Sequence, residues 1–137
     1  LTAVDLLPTF LEVADVSLPD GYKPDGQSAF TAFKGEPLQR TKPIFWEWRG
    51  GDNQDYTWPS IGIRDGKWKL LVNKEQNKLE LYDLESDWSE KHNVATDYPA
   101  VAHQLSEKLD AWKRSLPANP SKNSLSRARK KISKQNK

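Results

Sequence analysis

The sequence lacks cysteine entirely. Disulfide bonds, thiolate metal ligands and cysteine nucleophiles are therefore excluded from these 137 residues. Methionine is missing as well, and the first residue is Leu1 rather than a translation start. We expect the chain to be a piece of a longer protein.

Long apolar runs are also missing. The apolar runs hold only a few residues each, whereas a membrane-spanning helix needs about 20. No basic segment followed by an apolar one stands at the N-terminus, although such a leader could precede Leu1. We expect no membrane partner for this chain.

Acidic residues are absent from positions 117–137, which carry seven Lys or Arg. Positions 1–116 carry 14 Lys or Arg and 19 Asp or Glu, a net charge of −5. With 36% hydrophobic residues and six Trp, the acidic body can form a core, whereas the tail is too polar to stay ordered. The tail is a solubilising extension or a ligand for polyanions such as sulfated glycans. It has no aromatic residues among its charges, so we expect no nucleic-acid partner.

Two segments before the predicted sheet are read as a short helix and a loop. Positions 4–14 predict a helix with Asp5 as N-cap and Pro8 in the first turn, closed by a left-handed Asp15. Positions 16–42 contain six Gly or Pro residues and predict an extended loop, with a brief helical turn near 29–33.

Strand signals follow at 43–49, 61–72 and 79–84. The pair Asp65-Gly66 predicts a two-residue type I′ hairpin in which Arg64 lies opposite Lys67. That register places five apolar residues on one core-facing side: Ile61, Ile63, Trp68, Leu70 and Val72.

Two helical segments are predicted between the last strand and the basic tail. Asp87 and Glu90 have the spacing of a capping box. Asp97 is the predicted cap of a final helix with Pro99 in its first turn and Pro117 at its end. An apolar stripe follows a helical period along it: Val101, Leu105, Leu109, Trp112 and Leu116.

The order of these phrases resembles the C-terminal part of sulfatases of the N-acetylgalactosamine-6-sulfatase and arylsulfatase A type. The matching phrases lie at 4–11, 18–19, 25–28, 44–48, 64–70, 81–85 and 87–90 with Asn93, and are followed by a closing helix that contains a Trp. Asp15 stands where that family usually has Gly, and Trp88 stands where it usually has Pro.

The resemblance implies an α+β fold in which an antiparallel sheet of about four strands packs against a C-terminal helix. Residues 1–42 would be the last helix and crossing loop of a large α/β, alkaline-phosphatase-like domain. Residues 43–116 would be the C-terminal subdomain, and 117–137 a basic disordered tail.

The resemblance also implies the chemistry of the intact protein, which would hydrolyse sulfate esters with a formylglycine and a calcium ion. The formylglycine of such enzymes is made from the Cys or Ser of a C/S-x-P-S-R motif, which this sequence lacks. We therefore expect no catalytic residue, no metal ligand and no cofactor in the chain itself, which alone should be inactive. Its partners would be the N-terminal sulfatase domain and a sulfated glycan, in a secreted, periplasmic or lysosomal protein.

One segment is a candidate wall of the substrate pocket in that family. Aromatic and polar residues of this kind stack on sugar rings and bind their hydroxyl groups. The alternative without a binding role is that the aromatic residues belong to the core of the sheet and the polar loop is solvated. The candidate substrate-binding residues are Trp46, Trp48, Arg49, Asn53 and Tyr56, with Asp52 and Trp58 nearby.

His92 and His103 have no metal-ligand spacing and are expected to be structural or exposed. The acidic run from Glu80 to Glu90 lacks the spacing of a calcium loop, so turn and cap roles are expected. A different class of function stays open for the Trp-rich surface, namely a stand-alone β-rich module that binds glycans. Such a module would have no need of residues 1–42.

Overall fold

The computed structural model describes residues 1–48, 59–73 and 77–117. A 3₁₀ turn at Ala3–Asp5 leads into α1 (Leu6–Val13), which is followed by the short α2 (Phe30–Phe33). Four strands come next, β1 (Ile44–Glu47), β2 (Ile61–Asp65), β3 (Trp68–Val72) and β4 (Leu79–Asp83), and then α3 (Pro99–Ser115). The strands form one antiparallel sheet in the order β1-β2-β3-β4. The predicted α+β fold is confirmed, as is the helical turn near 29–33.

The core lies between one face of the sheet and α3. Ile63 pairs with Leu70, which pairs in turn with Leu81, and all three side chains are fully buried. The helix contributes Ala102, Leu105 and Leu109 to the same cluster. At the β1 edge the ring of Phe45 stacks on that of Trp112, with 5.1 Å between the centroids. Four residues of the predicted stripe therefore face the sheet, namely Val101, Leu105, Leu109 and Trp112, whereas Leu116 lies after the end of α3.

The β2–β3 hairpin has a different register from the predicted one. Asp65 belongs to β2 and pairs with Trp68, so the two turn residues are Gly66 and Lys67. Gly66 has a φ of 57°, and Lys67 is not among the positive-φ residues, a pattern typical of a type II′ turn rather than type I′. Asp65 is held in the strand by an ion pair with Lys108 of α3. Because the register differs by two positions, the five predicted core-facing residues still share one face.

The first helix closes as predicted but lacks a side-chain cap at its start. Asp15 has a φ of 53°, and the amide of Val16 donates to the carbonyl of Leu11 at 2.9 Å, which is a Schellman closure. Asp5 holds the N-cap position of α1, as predicted, but a side-chain cap is absent, because its carboxylate bonds no amide in the first turn of that helix. It instead completes a capping box on Thr2 at the start of the 3₁₀ turn.

Two other predicted caps are wrong. Tyr98, not Asp97, precedes α3, and its ring packs on Trp68 at a centroid distance of 4.9 Å. The carboxylate of Asp87 accepts the amide of His92 at 2.7 Å, and Glu90 turns away to bind Lys69. Asp87 thus binds a backbone amide five positions later and Glu90 binds a lysine of β3, so the two acids do not form a capping box.

Most of the basic tail, residues 118–137, lies outside the described residues, and the proposed division at positions 42 and 116 stays a prediction. Within the described ranges, no helix is both long enough and apolar enough to span a bilayer.

Candidate functional site

The face of the sheet that points away from α3 contains Trp46, one of the candidate residues. We call it the outer face, and it is defined by the alternate positions of the four strands. Across the strands, Arg64 pairs with Lys69, which pairs with Tyr82. The outer face consists of Ile44, Trp46, Gly62, Arg64, Lys69, Leu71, Glu80 and Tyr82.

Trp46 lies flat against the backbone of the neighbouring strand. Its cross-strand partner is Gly62, and a Cβ built there would overlap three atoms of the indole ring. The glycine is therefore required for close approach of the ring rather than for a special φ value. The ammonium group of Lys69 lies 5.8 Å from the centroid of the same ring, within the range of a cation–π contact.

Trp48 continues the line of Trp46 along the edge strand. Its amide donates to the carbonyl of Ser60 at 2.7 Å, which prolongs the β1–β2 pairing past Glu47. If the alternation of side chains continues for one residue past β1, Trp48 is expected on the same side as Trp46. The side chain of Trp48 is 62% exposed. An exposed indole thus directly follows the strand that contains Trp46.

An ion pair stands beside the Trp46 ring. The ammonium of Lys69 lies 2.7 and 2.6 Å from the two carboxylate oxygens of Glu90. Glu90 has a φ of 56°, which is a costly conformation for a residue with a side chain. The strained backbone therefore places this carboxylate against β3.

The far side of the outer face is also polar but more covered. The hydroxyl of Tyr82 donates to Glu80 at 2.8 Å. Burial, and then this bond to a carboxylate, raise the pKa of Tyr82 to about 12, so the phenol is neutral at physiological pH. Leu71 and Tyr82 are only 6% and 8% exposed. This part of the outer face therefore offers little exposed apolar surface.

The structure places two of the five predicted substrate-binding residues, Trp46 and Trp48. Arg49, Asn53 and Tyr56 lie outside the described residues, as do Asp52 and Trp58. Lys69 and Glu90 escaped the sequence analysis because they are 21 positions apart. Alternation along β3 was the available signal for Lys69, since Trp68 and Leu70 both face the core.

A second polar cluster, also missed, fastens the crossing loop to the first helix. The carboxylate of Asp5 is fully buried and is ion-paired with Arg40, and it accepts the amides of Thr2 at 2.8 Å and Gln27 at 3.1 Å. Burial alone would raise the pKa of Asp5, but the two amides and the guanidinium outweigh it and hold that pKa below its usual range. This cluster is saturated with internal partners, so we assign it a structural role.

The two histidines are exposed, as expected. Nδ1 of His92 lies 3.5 Å from Asp87, and Nδ1 of His103 lies 3.7 Å from Glu107 one helical turn away. In the described part of the chain no three His, Asp or Glu side chains converge as a metal site would require. The sequence also lacks the C/S-x-P-S-R motif from which a formylglycine is made.

Comparison with known proteins identifies the family that this chain matches. The family described as N-sulphoglucosamine sulphohydrolase, C-terminal, matches residues 1–115. Arylsulfatase K of Mus musculus is 29% identical over 121 residues, which is 80% of this chain and 20% of that protein. An N-acetylgalactosamine-6-O-sulfatase of Bacteroides thetaiotaomicron is 27% identical over 124 residues, which is 80% of this chain and 23% of that protein.

The fold is similar to that of solved relatives as well. A crystal structure of Ps i-CgsB in complex with k-i-k-neocarrahexaose matches with a TM-score of 0.64 and 28% identity. The match covers 82% of this chain and 24% of that one. The chain spans about a fifth to a quarter of the length of these relatives. Because the family match extends over nearly the whole described region, the chain belongs to the family of sulfatase C-terminal domains.

Proposed function

We propose that the protein containing this chain hydrolyses sulfate esters on a carbohydrate, and that the chain is the C-terminal domain of that enzyme. The observation that carries the proposal is the family match over residues 1–115. It includes the first helix and the crossing loop, which a stand-alone glycan-binding module would not need. Two of the relatives support a carbohydrate substrate, since one is named for N-acetylgalactosamine and the other was solved with a neocarrahexaose.

In this proposal the chain contributes a wall of the substrate cleft and no catalytic group. The outer edge of the sheet presents Trp46 and Trp48 as a surface on which sugar rings stack. The segment that carries Arg49, Asn53 and Tyr56 directly follows Trp48 in sequence, so its polar groups would be close in chain to that surface. A sulfated carbohydrate offers both apolar ring faces and polar substituents to such a wall.

The formylglycine and the calcium ion of the proposed reaction would come from the N-terminal domain. When bound, such groups supply a nucleophile and neutralise the sulfate oxygens. The part that we propose for the residues of this chain is to bind and orient the sugar. A secreted, periplasmic or lysosomal location would accompany this function.

The N-terminal domain is also the proposed partner of α1. This helix buries only Pro8 and Thr9, while most of its large apolar side chains remain exposed. Leu7 is 47%, Phe10 56% and Val13 54% exposed. Leu11 is partly buried. A helix surface this apolar is typical of one that is covered by another domain.

The test is sulfate release by the complete protein encoded by the gene that contains this chain. It is purified and offered a panel of sulfated monosaccharides, with the 137-residue chain alone as the comparison. We expect inorganic sulfate from at least one sugar with the complete protein and none with the chain alone. No release from any sugar by the complete protein, together with glycan binding by the chain alone, would favour the binding-module alternative.

A further inference from the structure

Three side chains from three separate parts of the chain meet on the outer face. Trp46 comes from β1, Lys69 from β3, and Glu90 from the turn after β4. Lys69 links the other two, since its ammonium lies 5.8 Å from the indole centroid and within 2.7 Å of both Glu90 oxygens. We call Trp46, Lys69 and Glu90 the outer-face triad.

The triad has the chemistry by which proteins bind uncharged sugars. An indole face packs on the C–H groups of a pyranose, while a carboxylate accepts from its hydroxyl groups and an ammonium donates to them. The side chains of Lys69 and Glu90 are 21% and 32% exposed, so their polar atoms remain within reach of a ligand. The exposed Trp48 extends the same surface along the edge strand.

The charge of the triad decides which sugar it suits. A lone lysine would attract a sulfate or carboxylate group, but here Glu90 neutralises Lys69 at direct contact. A second anion placed at Lys69 would also meet the charge of Glu90. The triad is therefore matched to hydroxyl groups and not to a sulfate group.

We propose that the outer-face triad is a subsite for an unsulfated sugar residue that flanks the sulfated one, so that Lys69 and Glu90 determine preference for oligosaccharides over monosaccharides. This inference rests on the proposed sulfatase function and deepens it. Lys69 and Glu90 act as specificity-determining residues and take no part in cleavage of the ester.

A matched control exists elsewhere on the same sheet. Lys67 lies 4.7 Å from the ring centroid of Trp68 and 2.7 Å from Asp83, which is the same combination of groups. Trp68 and Asp83 are on the core-facing side, however, where α3 packs. Changes to this second combination test whether loss of an ion pair beside an indole is sufficient to alter activity.

The experiment measures sulfate release by the complete protein from two substrates. One is the best sulfated monosaccharide from the panel, and the other is a tetrasaccharide that carries the same sulfated sugar at its reactive end. For Lys69→Gln and Glu90→Gln we expect the KM for the tetrasaccharide to rise about tenfold, as loss of charged hydrogen bonds would cause. The KM for the monosaccharide and both kcat values should stay unchanged, and Lys67→Gln and Asp83→Asn should change neither KM.

A competition measurement keeps the test independent of catalytic rate. The desulfated tetrasaccharide should inhibit the wild type competitively and should inhibit Lys69→Gln about tenfold more weakly. The conservative variants Lys69→Arg and Glu90→Asp, which keep the ion pair, should recover part of the lost affinity even if the glutamine variants melt early. An equal rise in KM for both substrates, or no rise for the tetrasaccharide, would overturn the subsite. Absence of sulfate release from every substrate by the wild type would instead overturn the proposed function, and the subsite with it.

Discussion

At the scale of single residues, Asp5 shows how a locally plausible role gives way to tertiary contacts. Its position before α1 suits an N-cap, yet its carboxylate joins the helix start to Gln27 and Arg40 of the crossing loop. Thr9 adds a second link, since its hydroxyl donates to the carbonyl of Asp5 and accepts the amide of Ala29. The buried acid therefore holds together segments that lie up to 35 positions apart.

Removing this charge is expected to destabilise the protein strongly. The variant Asp5→Asn leaves the guanidinium of Arg40, whose side chain is only 17% exposed, without its anion. Breaking a buried pair from one side costs about 3 to 5 kcal/mol. Denaturant unfolding measures the loss, and Glu36→Gln is the control because its pair with Lys34 is exposed and should change the free energy of unfolding by less than about 1 kcal/mol. Equal effects of the two variants would contradict the structural role of Asp5.

The same residue predicts a pH dependence. Because the pKa of Asp5 is lowered in the folded state, its contribution to stability is present above the unfolded pKa of about 4 and is lost as the pH falls through the lower folded value. The unfolding free energy of the wild type should therefore decline below about pH 4. Asp5→Asn should decline less steeply in that range, and parallel pH profiles would argue against this assignment.

Gly62 is a second residue whose role is set by a neighbour. In Gly62→Ala the new methyl group would overlap the Trp46 ring, so the ring must move, at a cost of about 1 to 3 kcal/mol. If the clash is the cause, the loss should be largely absent when Gly62→Ala is made in a Trp46→Ala background. A double-mutant cycle of unfolding free energies measures this coupling, and additive losses would show that the glycine is needed for another reason.

At the scale of elements, the helices and strands were predictable because the spacing of apolar residues along the sequence indicates them. The core-facing set of β2 and β3 was correct, as was the stripe of α3 except for Leu116, which follows the helix. The predictions that failed concerned turn and cap residues whose roles depend on contacts with residues distant in sequence. Asp65 reads locally as a turn residue, but its ion pair with Lys108 of α3 keeps it in the strand. Tyr98 precedes α3 and packs against Trp68, and local capping rules take no account of such a contact.

The candidate site was predictable to a similar extent. Alternation along β1 places Trp46 on the side away from Phe45, and the cross-strand pairs show that arrangement. The partnership of Lys69 with Glu90 depends on the path of the turn after β4, including a residue with positive φ. Sequence patterns contain no signal for that path.

The exposed side of α1 predicts how the isolated chain behaves. Leu7, Phe10 and Val13 are exposed apolar side chains on this short helix, so separate copies should associate through them. Sedimentation of the 137-residue chain should show an average mass that rises with concentration. Phe10→Glu should reduce that rise, whereas His103→Glu on the exposed part of α3 should not. A chain that stays monomeric at all concentrations would mean that α1 needs no cover.

At the scale of the whole molecule, the two faces of the sheet have different roles. The core-facing side is filled by α3 and provides the stability of the domain. The outer face and the edge strand β1 carry aromatic and charged groups, and the proposal is that they face the sugar bound by a sulfatase. The central claim is therefore that the exposed indole of Trp48 contacts substrate.

The most direct test compares two exposed tryptophans in the complete protein. Trp48 is 62% exposed on the edge strand, and Trp88 is 84% exposed on the turn after β4. Neither replacement by alanine should change the melting temperature by more than about 2 °C, because both side chains lie mainly in solvent. The account predicts that Trp48→Ala lowers kcat/KM for a sulfated tetrasaccharide about tenfold or more, the loss of one stacking contact, and that Trp88→Ala leaves it unchanged. Unchanged kcat/KM in Trp48→Ala, or equal losses in both variants, would contradict it.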